Sequence, residues 1–180
     1  MASDAITLGG GCFWCVEAVF ERVDGVTAVE SGYANGHVDR PSYRQVCEGT
    51  TGHAEVVRVT YDPERIDLAE LLRIFFHVHD PTTPNRQGND VGPQYRSGIY
   101  WHRADQEAVV RAVAAEANRE HGGRVVTELM PLAAYWPAEE YHQHYFERNP
   151  GQGYCAFVVA PKVAKFERAF KSRLRAESAG

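Results

Sequence analysis

Short strand-like segments alternate with amphipathic helical segments along most of the chain, and this alternation constrains the fold more than any other feature. Residues 54–61 are typical of a strand, because Val57 and Val59 alternate with polar neighbours. Residues 68–78 are typical of a helix capped by Asp67, since leucines and a phenylalanine recur along one face. Segments of both kinds mixed along one chain indicate an α+β fold.

The same patterns predict the other elements of the fold. Strands are expected at residues 5–8, 26–31, 97–101 and 125–130, and helices at residues 12–23, at residues 105–119 and in a final segment bearing Val163, Phe166, Phe170 and Leu174. The polar stretch 81–96 is predicted to be a long functional loop. Neither an internal repeat nor a linker is found, so we expect one catalytic domain over residues 1–180, with a final helix within 150–180.

Composition and charge argue against several functional classes. The 19 lysines and arginines are outnumbered by 24 acidic residues, which gives a formal net charge of -5, and they are scattered along the chain. Nucleic acid is therefore not an expected partner. No segment has the pattern of a secretory leader or of an apolar membrane span, so we expect a soluble, cytoplasmic protein without a membrane partner. In that compartment, four cysteines indicate buried, metal-binding or redox-active thiols rather than structural disulfides.

The glycine run at residues 9–11 leads directly into Cys12 and places this thiol at the start of a predicted helix. Glycine permits the tight turn, and the helix dipole stabilises an anion such as a thiolate. At such positions the pKa of a cysteine can fall to about 3.5–7.5. The pattern therefore predicts that Cys12 is a nucleophile, and the alternative is a small buried apolar residue.

Glu55 begins the strand in which Val57 and Val59 are expected to face the core. Side chains two residues apart in a strand point to the same face, so Glu55 would share the core face with Val57. Burial there would raise the pKa of Glu55 and keep it protonated near neutral pH. Such a group could act as a general acid. The alternative is that Glu55 lies at the strand end and reaches solvent, which the residues taken alone favour.

An ordered set of motifs carries a specific resemblance. The motifs are GCFW, SGY, PSYRQVC, GHAEVVRVTYDP, HDPTT, RQGND, QYRS, HQHYF and NPGQGYC, and they run from residue 9 to about residue 154. In their order and spacing the chain resembles the A-type peptide methionine sulfoxide reductase family. Two positions depart from the family pattern: Cys15 stands where many members have glycine, and Asn35 interrupts a turn that is usually Gly-Gly. Asparagine tolerates left-handed backbone, so the second departure is mild.

The resemblance implies a two-layer α+β sandwich with a mixed sheet and a ferredoxin-like βαββαβ core. It also implies roles at matched positions: Cys12 as nucleophile, Glu55 as proton donor, Tyr43, Asp90 and Tyr95 as polar surroundings, Phe13 and Trp14 as a methyl-binding wall, and Cys155 as resolving cysteine. Cys155 lies in a segment that two glycines are expected to make pliable. Cys15 is the alternative resolver or a second relay, because C-x-x-C pairs readily form disulfides. Cys47 is expected to be structural.

The activity implied by the resemblance is reduction of methionine (S)-S-oxide, in proteins and in free form. Cys12 would become a sulfenic acid, a second cysteine would condense with it to a disulfide, and thioredoxin would reduce that disulfide. We expect a monomer with no cofactor and no metal ion. Two alternatives stay open: a general thiol-disulfide oxidoreductase using Cys12 and Cys15, and a zinc-binding module built from these cysteines with Cys47, Cys155 or histidine.

Overall fold

A computed structural model describes residues 3–175 and contains a six-stranded sheet, a two-stranded hairpin and six α-helices in that part of the chain. The elements in chain order are β1 (Asp4–Gly9), α1 (Phe13–Phe20), β2 (Val26–Ala34), α2 (Tyr43–Cys47), β3 (Ala54–Tyr61), α3 (Leu68–Val78), β4 (Arg86–Gln87), β5 (Asp90–Val91), β6 (Gly98–Trp101), α4 (Glu107–Glu120), β7 (Glu128–Pro131), β8 (Tyr135–Pro137), α5 (Tyr145–Arg148) and α6 (Ala160–Ala169). A π-helical turn, Cys155–Val159, leads directly into α6.

The strand order of the main sheet is β7-β6-β1-β3-β2-β8. The central strands β6, β1, β3 and β2 pair antiparallel throughout, which is the arrangement of a ferredoxin-like βαββαβ unit. Strand β7 is added parallel to β6 after the crossover helix α4. The sheet is therefore mixed, and the predicted α+β fold is confirmed.

The main core lies on one face of this sheet, under the apolar sides of the helices. Leu8 pairs with Val57 and Ile6 pairs with Val59 across β1 and β3, and all four side chains are fully buried. Val56 belongs to a smaller cluster on the opposite face. The predicted alternation of β3 is confirmed, and it fixes which face Glu55 must share.

Several predicted element ends are also confirmed. Helix α3 begins after Asp67, whose carboxylate accepts the backbone N–H of Glu70, and it ends at Val78. Asn35 has φ 58°, as its left-handed tolerance led us to expect. None of the helices within residues 3–175 has the length and apolarity needed to cross a bilayer.

Other expectations need correction. Helix α2 and strand β8 were not predicted, because they are too short for a clear periodic pattern. The stretch 81–96, expected to lack regular structure, contains the β4–β5 hairpin and the 3-10 turn Pro93–Tyr95. The final helix ends at Ala169, so Leu174 lies beyond it and forms a bridge to Val23.

Val110→Ala tests how strongly the inner face of α4 stabilises the fold. Val110 is fully buried, whereas its neighbour Val109 is only half-buried. A buried methylene contributes about 0.8 kcal/mol, and a cavity adds to its loss, so the free energy of unfolding should fall by ~1.5–3 kcal/mol. Val109→Ala removes the same atoms and should cost clearly less. Urea unfolding of both variants measures the difference, and equal losses would contradict the assigned burial.

Candidate active site

The glycine turn after β1 places Cys12 at the start of α1. Gly11 has φ +94°, and a Cβ at this position would stand 2.7 Å from Cγ of Gln87. Gln87 cannot easily move, because its Oε1 accepts the backbone N–H of Asp80 at 3.0 Å. Glycine is thus required here, and Cys12, immediately before the first residue of α1, is only 7 % exposed.

Glu55 is buried against this helix start. Its Oε1 accepts the backbone N–H of Phe13 at 3.1 Å, while its Oε2 has no hydrogen-bond partner among residues 3–175. Burial raises the pKa of Glu55 to about 8, and the charges of Asp90 and Cys15 act in the same direction. The carboxyl is therefore neutral at pH 7. The expected burial of Glu55 is confirmed, and the alternative that it reaches solvent is wrong.

The thiols of Cys12 and Cys15 interact with each other at the first turn of α1. Burial raises the pKa of Cys12 well above its ordinary value, and the contacts with Cys15 and Glu55 raise it further. The backbone N–H of Trp14 acts in the opposite direction but is outweighed. The predicted lowering of the Cys12 pKa is therefore wrong, because desolvation exceeds the effect of the helix start. Hydrogen bonding to Cys12 lowers the pKa of Cys15 instead.

An aromatic cluster lies next to the two thiols. The Trp14 ring stacks on Tyr145 with centroids 3.8 Å apart, and its Nε1 donates to Nδ1 of His142 at 3.0 Å. The Phe13 ring packs against Tyr43, with centroids 6.2 Å apart. Phe13 is fully buried and Trp14 is half-buried, so Trp14 is the accessible part of the predicted methyl-binding wall.

Tyr43 and Tyr95 reach the same site from two separate segments. Tyr43 begins α2, and Tyr95 ends the 3-10 turn. Burial raises the pKa of both hydroxyls, and the charges of Glu55 and Cys12 raise them further. Both tyrosines therefore remain protonated hydrogen-bond donors, and the structure brings them within electrostatic reach of Cys12 and Glu55 as predicted.

Asp90 joins the site together with Tyr154, a residue for which the sequence analysis gave no role. The Tyr154 hydroxyl donates to Oδ2 of Asp90 at 2.6 Å, and its ring meets Trp14 edge-on with centroids 5.7 Å apart. Burial raises the pKa of Tyr154, and the charges of Cys12, Cys15 and Asp90 raise it further, so the Tyr154 hydroxyl stays protonated. In the sequence, Tyr154 could have been recognised as a site residue because it directly precedes Cys155, a predicted resolving cysteine.

Glu139 was also missed, and it holds Tyr43 in place. One carboxylate oxygen accepts the Tyr33 hydroxyl at 2.7 Å, and the other accepts the backbone N–H of Tyr43 at 2.9 Å. Nothing in the local sequence distinguishes Glu139 from a solvent-exposed glutamate, since its partners are about a hundred residues away along the chain.

The remaining cysteines depart from expectation. Cys155 begins the π-helical turn and is fully buried, and the helix already includes Gly153, so its assignment to a pliable loop is wrong. Burial raises the pKa of the Cys155 thiol, and the charge of Cys15 raises it further. The turn that carries Cys155 packs against α1. Cys47 was expected to be structural but is exposed at the end of α2, where it interacts with the Tyr43 side chain.

The cysteines do not assemble a metal centre within the described residues. Across residues 3–175, the one group of three His, Cys, Asp or Glu side chains that could hold an ion is Glu17, Glu21 and His144. Since no cysteine belongs to this group, the alternative of a zinc-binding module based on Cys12 and Cys15 is not supported.

Comparisons with known proteins agree with this geometry. The family model described as peptide methionine sulfoxide reductase matches residues 4–174. The peptide methionine sulfoxide reductase MsrA of Trichodesmium erythraeum is 52 % identical over 175 residues, which cover 96 % of this chain and 99 % of that protein. The MsrA of Thermus thermophilus is 50 % identical over 175 residues, covering 97 % and 99 % of the two chains.

Solved structures of methionine sulfoxide reductase A and of Mxr1 have a similar fold. Reduced Mxr1 from Saccharomyces cerevisiae has a TM-score of 0.79 and 39 % identity, covering 85 % of this chain and 89 % of Mxr1. Methionine sulfoxide reductase A of Corynebacterium diphtheriae has a TM-score of 0.77 and 38 % identity, covering 86 % and 78 % of the two chains. Mxr1 in complex with Trx2 has a TM-score of 0.56 and 27 % identity, covering 79 % and 84 %. This chain therefore belongs to the peptide methionine sulfoxide reductase family.

Proposed function

We propose that this chain reduces methionine sulfoxide to methionine, both in proteins and as the free amino acid, with preference for the S epimer at sulfur. The observation that carries the proposal is the buried, neutral carboxyl of Glu55 beside the Cys12 thiol. A soft nucleophile and a proton donor at one small site are what the reduction of a sulfoxide requires. The epimer preference rests on family resemblance.

In the first step, Cys12 reacts at the sulfoxide while Glu55 gives a proton to the sulfoxide oxygen. The S–O bond of the substrate breaks and the oxygen ends on Cys12, so methionine sulfur gains two electrons and Cys12 sulfur loses two. The thiol proton of Cys12 restores the proton of Glu55, which balances the step. Tyr43 and Tyr95, held as hydroxyl donors, orient the oxygen.

The substrate methyl group is proposed to lie against Trp14. Its indole is fixed from both sides, by stacking on Tyr145 and by the hydrogen bond to His142, and part of its surface stays open. Fixing the methyl group, the oxygen and the direction of attack at once defines one configuration at sulfur. Such a site accepts a single epimer, in line with the separate enzymes that reduce the two sulfoxide epimers.

Regeneration is proposed to run through two cysteines in sequence. Cys15 lies one helical turn from Cys12, and its backbone N–H donates to the Cys12 carbonyl at 3.1 Å, whereas Cys155 is buried in a turn that packs against α1. We therefore assign to Cys15 the first condensation with the Cys12 sulfenic acid, which releases water and forms a disulfide. Cys155 then attacks Cys15 by thiol-disulfide exchange and frees Cys12. The final disulfide thus joins Cys15 to Cys155.

Thioredoxin is proposed as the reductant of the final disulfide. The structure of Mxr1, a protein of similar fold, in complex with Trx2 supports this partner. The proposal includes a cytoplasmic location, since four free cysteines suit a reducing compartment.

A general thiol-disulfide oxidoreductase is the second candidate, and one observation favours it. Cys12 and Cys15 form a C-x-x-C pair in which contact with Cys12 lowers the pKa of Cys15. This is the arrangement that redox-active dithiols use. Activity on a disulfide substrate without any sulfoxide would support this candidate.

An assay with separated epimers tests the main proposal. Peptides carrying methionine S-sulfoxide or R-sulfoxide are incubated with the full chain and a dithiol, and the products are analysed by chromatography. Methionine should form from the S epimer. Cys12→Ser should be inactive while remaining folded, because a hydroxyl is a far poorer nucleophile than a thiol. Cys155→Ser removes a buried thiol but leaves Cys12 in place, and it is the matched control that should still form methionine. Turnover by Cys12→Ser, or none by the native chain, would refute the proposal.

Glu55→Gln should bind substrate but lose about 10²–10⁴-fold in the single-turnover rate, because an amide accepts and donates hydrogen bonds but is a poor acid. With the pKa of Glu55 at about 8, the acid is present below pH 8 and lost above it. The native rate should therefore fall as pH rises through about 8, and the variant should lack this fall. A native rate that keeps rising past this point would show that another group limits the step.

The order in which the disulfides form tests the proposed sequence from Cys12 through Cys15 to Cys155. After one turnover without reductant, quenching at increasing times and peptide mapping should show the Cys12–Cys15 disulfide before the Cys15–Cys155 disulfide. In Cys155→Ser the first disulfide should accumulate, and in Cys15→Ser the Cys12 sulfenic acid should persist. Early formation of a Cys12–Cys155 disulfide in the native chain would overturn the order.

A further inference from the structure

A second group of ionisable side chains connects α1 to the segment before α5. Glu17 lies in α1, Glu21 caps its end, and His144 immediately precedes α5. One carboxylate oxygen of each glutamate and one ring nitrogen of His144 lie within 4.8 Å of one another. Glu21 and His144 are also in direct hydrogen-bond contact. Three side chains from two distant segments thus converge on one point.

One carboxylate oxygen of Glu17 is buried without a hydrogen-bond partner among residues 3–175. The residue is 1 % exposed, and its Oε1 accepts the backbone N–H of Tyr145 at 3.3 Å. Its Oε2 has no hydrogen-bond partner in the part of the chain that the structure describes. A buried carboxylate oxygen without a partner is costly, and native proteins rarely tolerate it without an ion or water. Glu21 lies beside it, so one bound cation would contact both carboxylates.

We propose that Glu17, Glu21 and His144 bind a divalent transition metal ion, for which Zn²⁺ is the best match. Zinc accepts carboxylate oxygen and imidazole nitrogen at about 2.0–2.2 Å, so two ligands of one ion stand at most about 4.4 Å apart. The three donor atoms lie within 4.8 Å of one another, close to this spacing, and water would complete the coordination. This site departs from the expectation of a metal-free chain. It is separate from the thiol chemistry and does not depend on it.

The ion would have a structural effect near the active site. His144 is followed directly by Tyr145, whose ring stacks on Trp14 with centroids 3.8 Å apart. A bound ion would tie this segment to α1, the helix that begins beside Cys12 and carries Cys15. It would therefore hold the accessible wall of the site against the helix that bears the reactive thiols.

Titration calorimetry with ZnCl₂ on the full, reduced chain tests the proposal. One zinc ion should bind, and Glu17→Gln and His144→Gln should each weaken the affinity by about tenfold or more. Glu64→Gln and His37→Gln change the same residue types at exposed positions outside the group and should bind as the native chain does. Because His144 is half-exposed, His144→Gln is expected to fold, and circular dichroism checks this; Glu21→Gln replaces Glu17→Gln if the latter misfolds.

X-ray absorption at the zinc edge separates this site from zinc held by the cysteines. Nitrogen and oxygen ligands lie at about 2.0–2.1 Å from zinc, and thiolate sulfur lies at about 2.3 Å. The proposal predicts only the shorter distances. A sulfur shell, unchanged affinity in His144→Gln, or no binding to the native chain at millimolar zinc would each overturn it.

Discussion

The hydrogen bond from the backbone N–H of Phe13 to Glu55 is the contact on which the site depends. It joins the start of α1 to the start of β3, and therefore sets the distance between Cys12, the proposed nucleophile, and Glu55, the proposed acid. Two features of the fold make the contact possible. The Gly11 turn brings the helix start close to the sheet, and the register of β3 turns Glu55 to the face on which Val57 and Val59 are buried.

Burial raises the pKa of both Glu55 and Cys12, which favours the proposed acid and disfavours the proposed nucleophile. It keeps Glu55 protonated, which an acid needs, but it also keeps Cys12 protonated, which weakens a nucleophile. A lone thiolate at a helix start would instead be stabilised by the dipole. In the proposed mechanism this arrangement favours a concerted exchange, in which the thiol gives up its proton as the sulfoxide oxygen receives one.

The parts of the fold that the sequence predicted are those with long, regular patterns. The alternation in β3 and the leucine face of α3 each depend on local chemistry, and both were predicted with correct ends. The site was predictable where a residue type had a local reason, as with Cys12 after its glycines. Glu139 and Cys155 illustrate the limit. One acts through partners about a hundred residues away, and the other lies in a helix although two glycines precede it.

Burial of Glu55 also lowers the stability of the fold, and the difference between its folded and unfolded pKa values determines how this effect changes with pH. Glu55 has a pKa of about 8 in the folded chain, against about 4.3 for an unfolded glutamate. Between these values the folded state holds a proton that the unfolded state has released, so the contribution of Glu55 to stability decreases as pH rises across this window. Tyr43 and Tyr95 have raised pKa values from the same burial, so they stay neutral through this window and add no charge of their own. Glu55 therefore destabilises the fold near neutral pH, and in the proposed mechanism its retained proton passes to the sulfoxide oxygen.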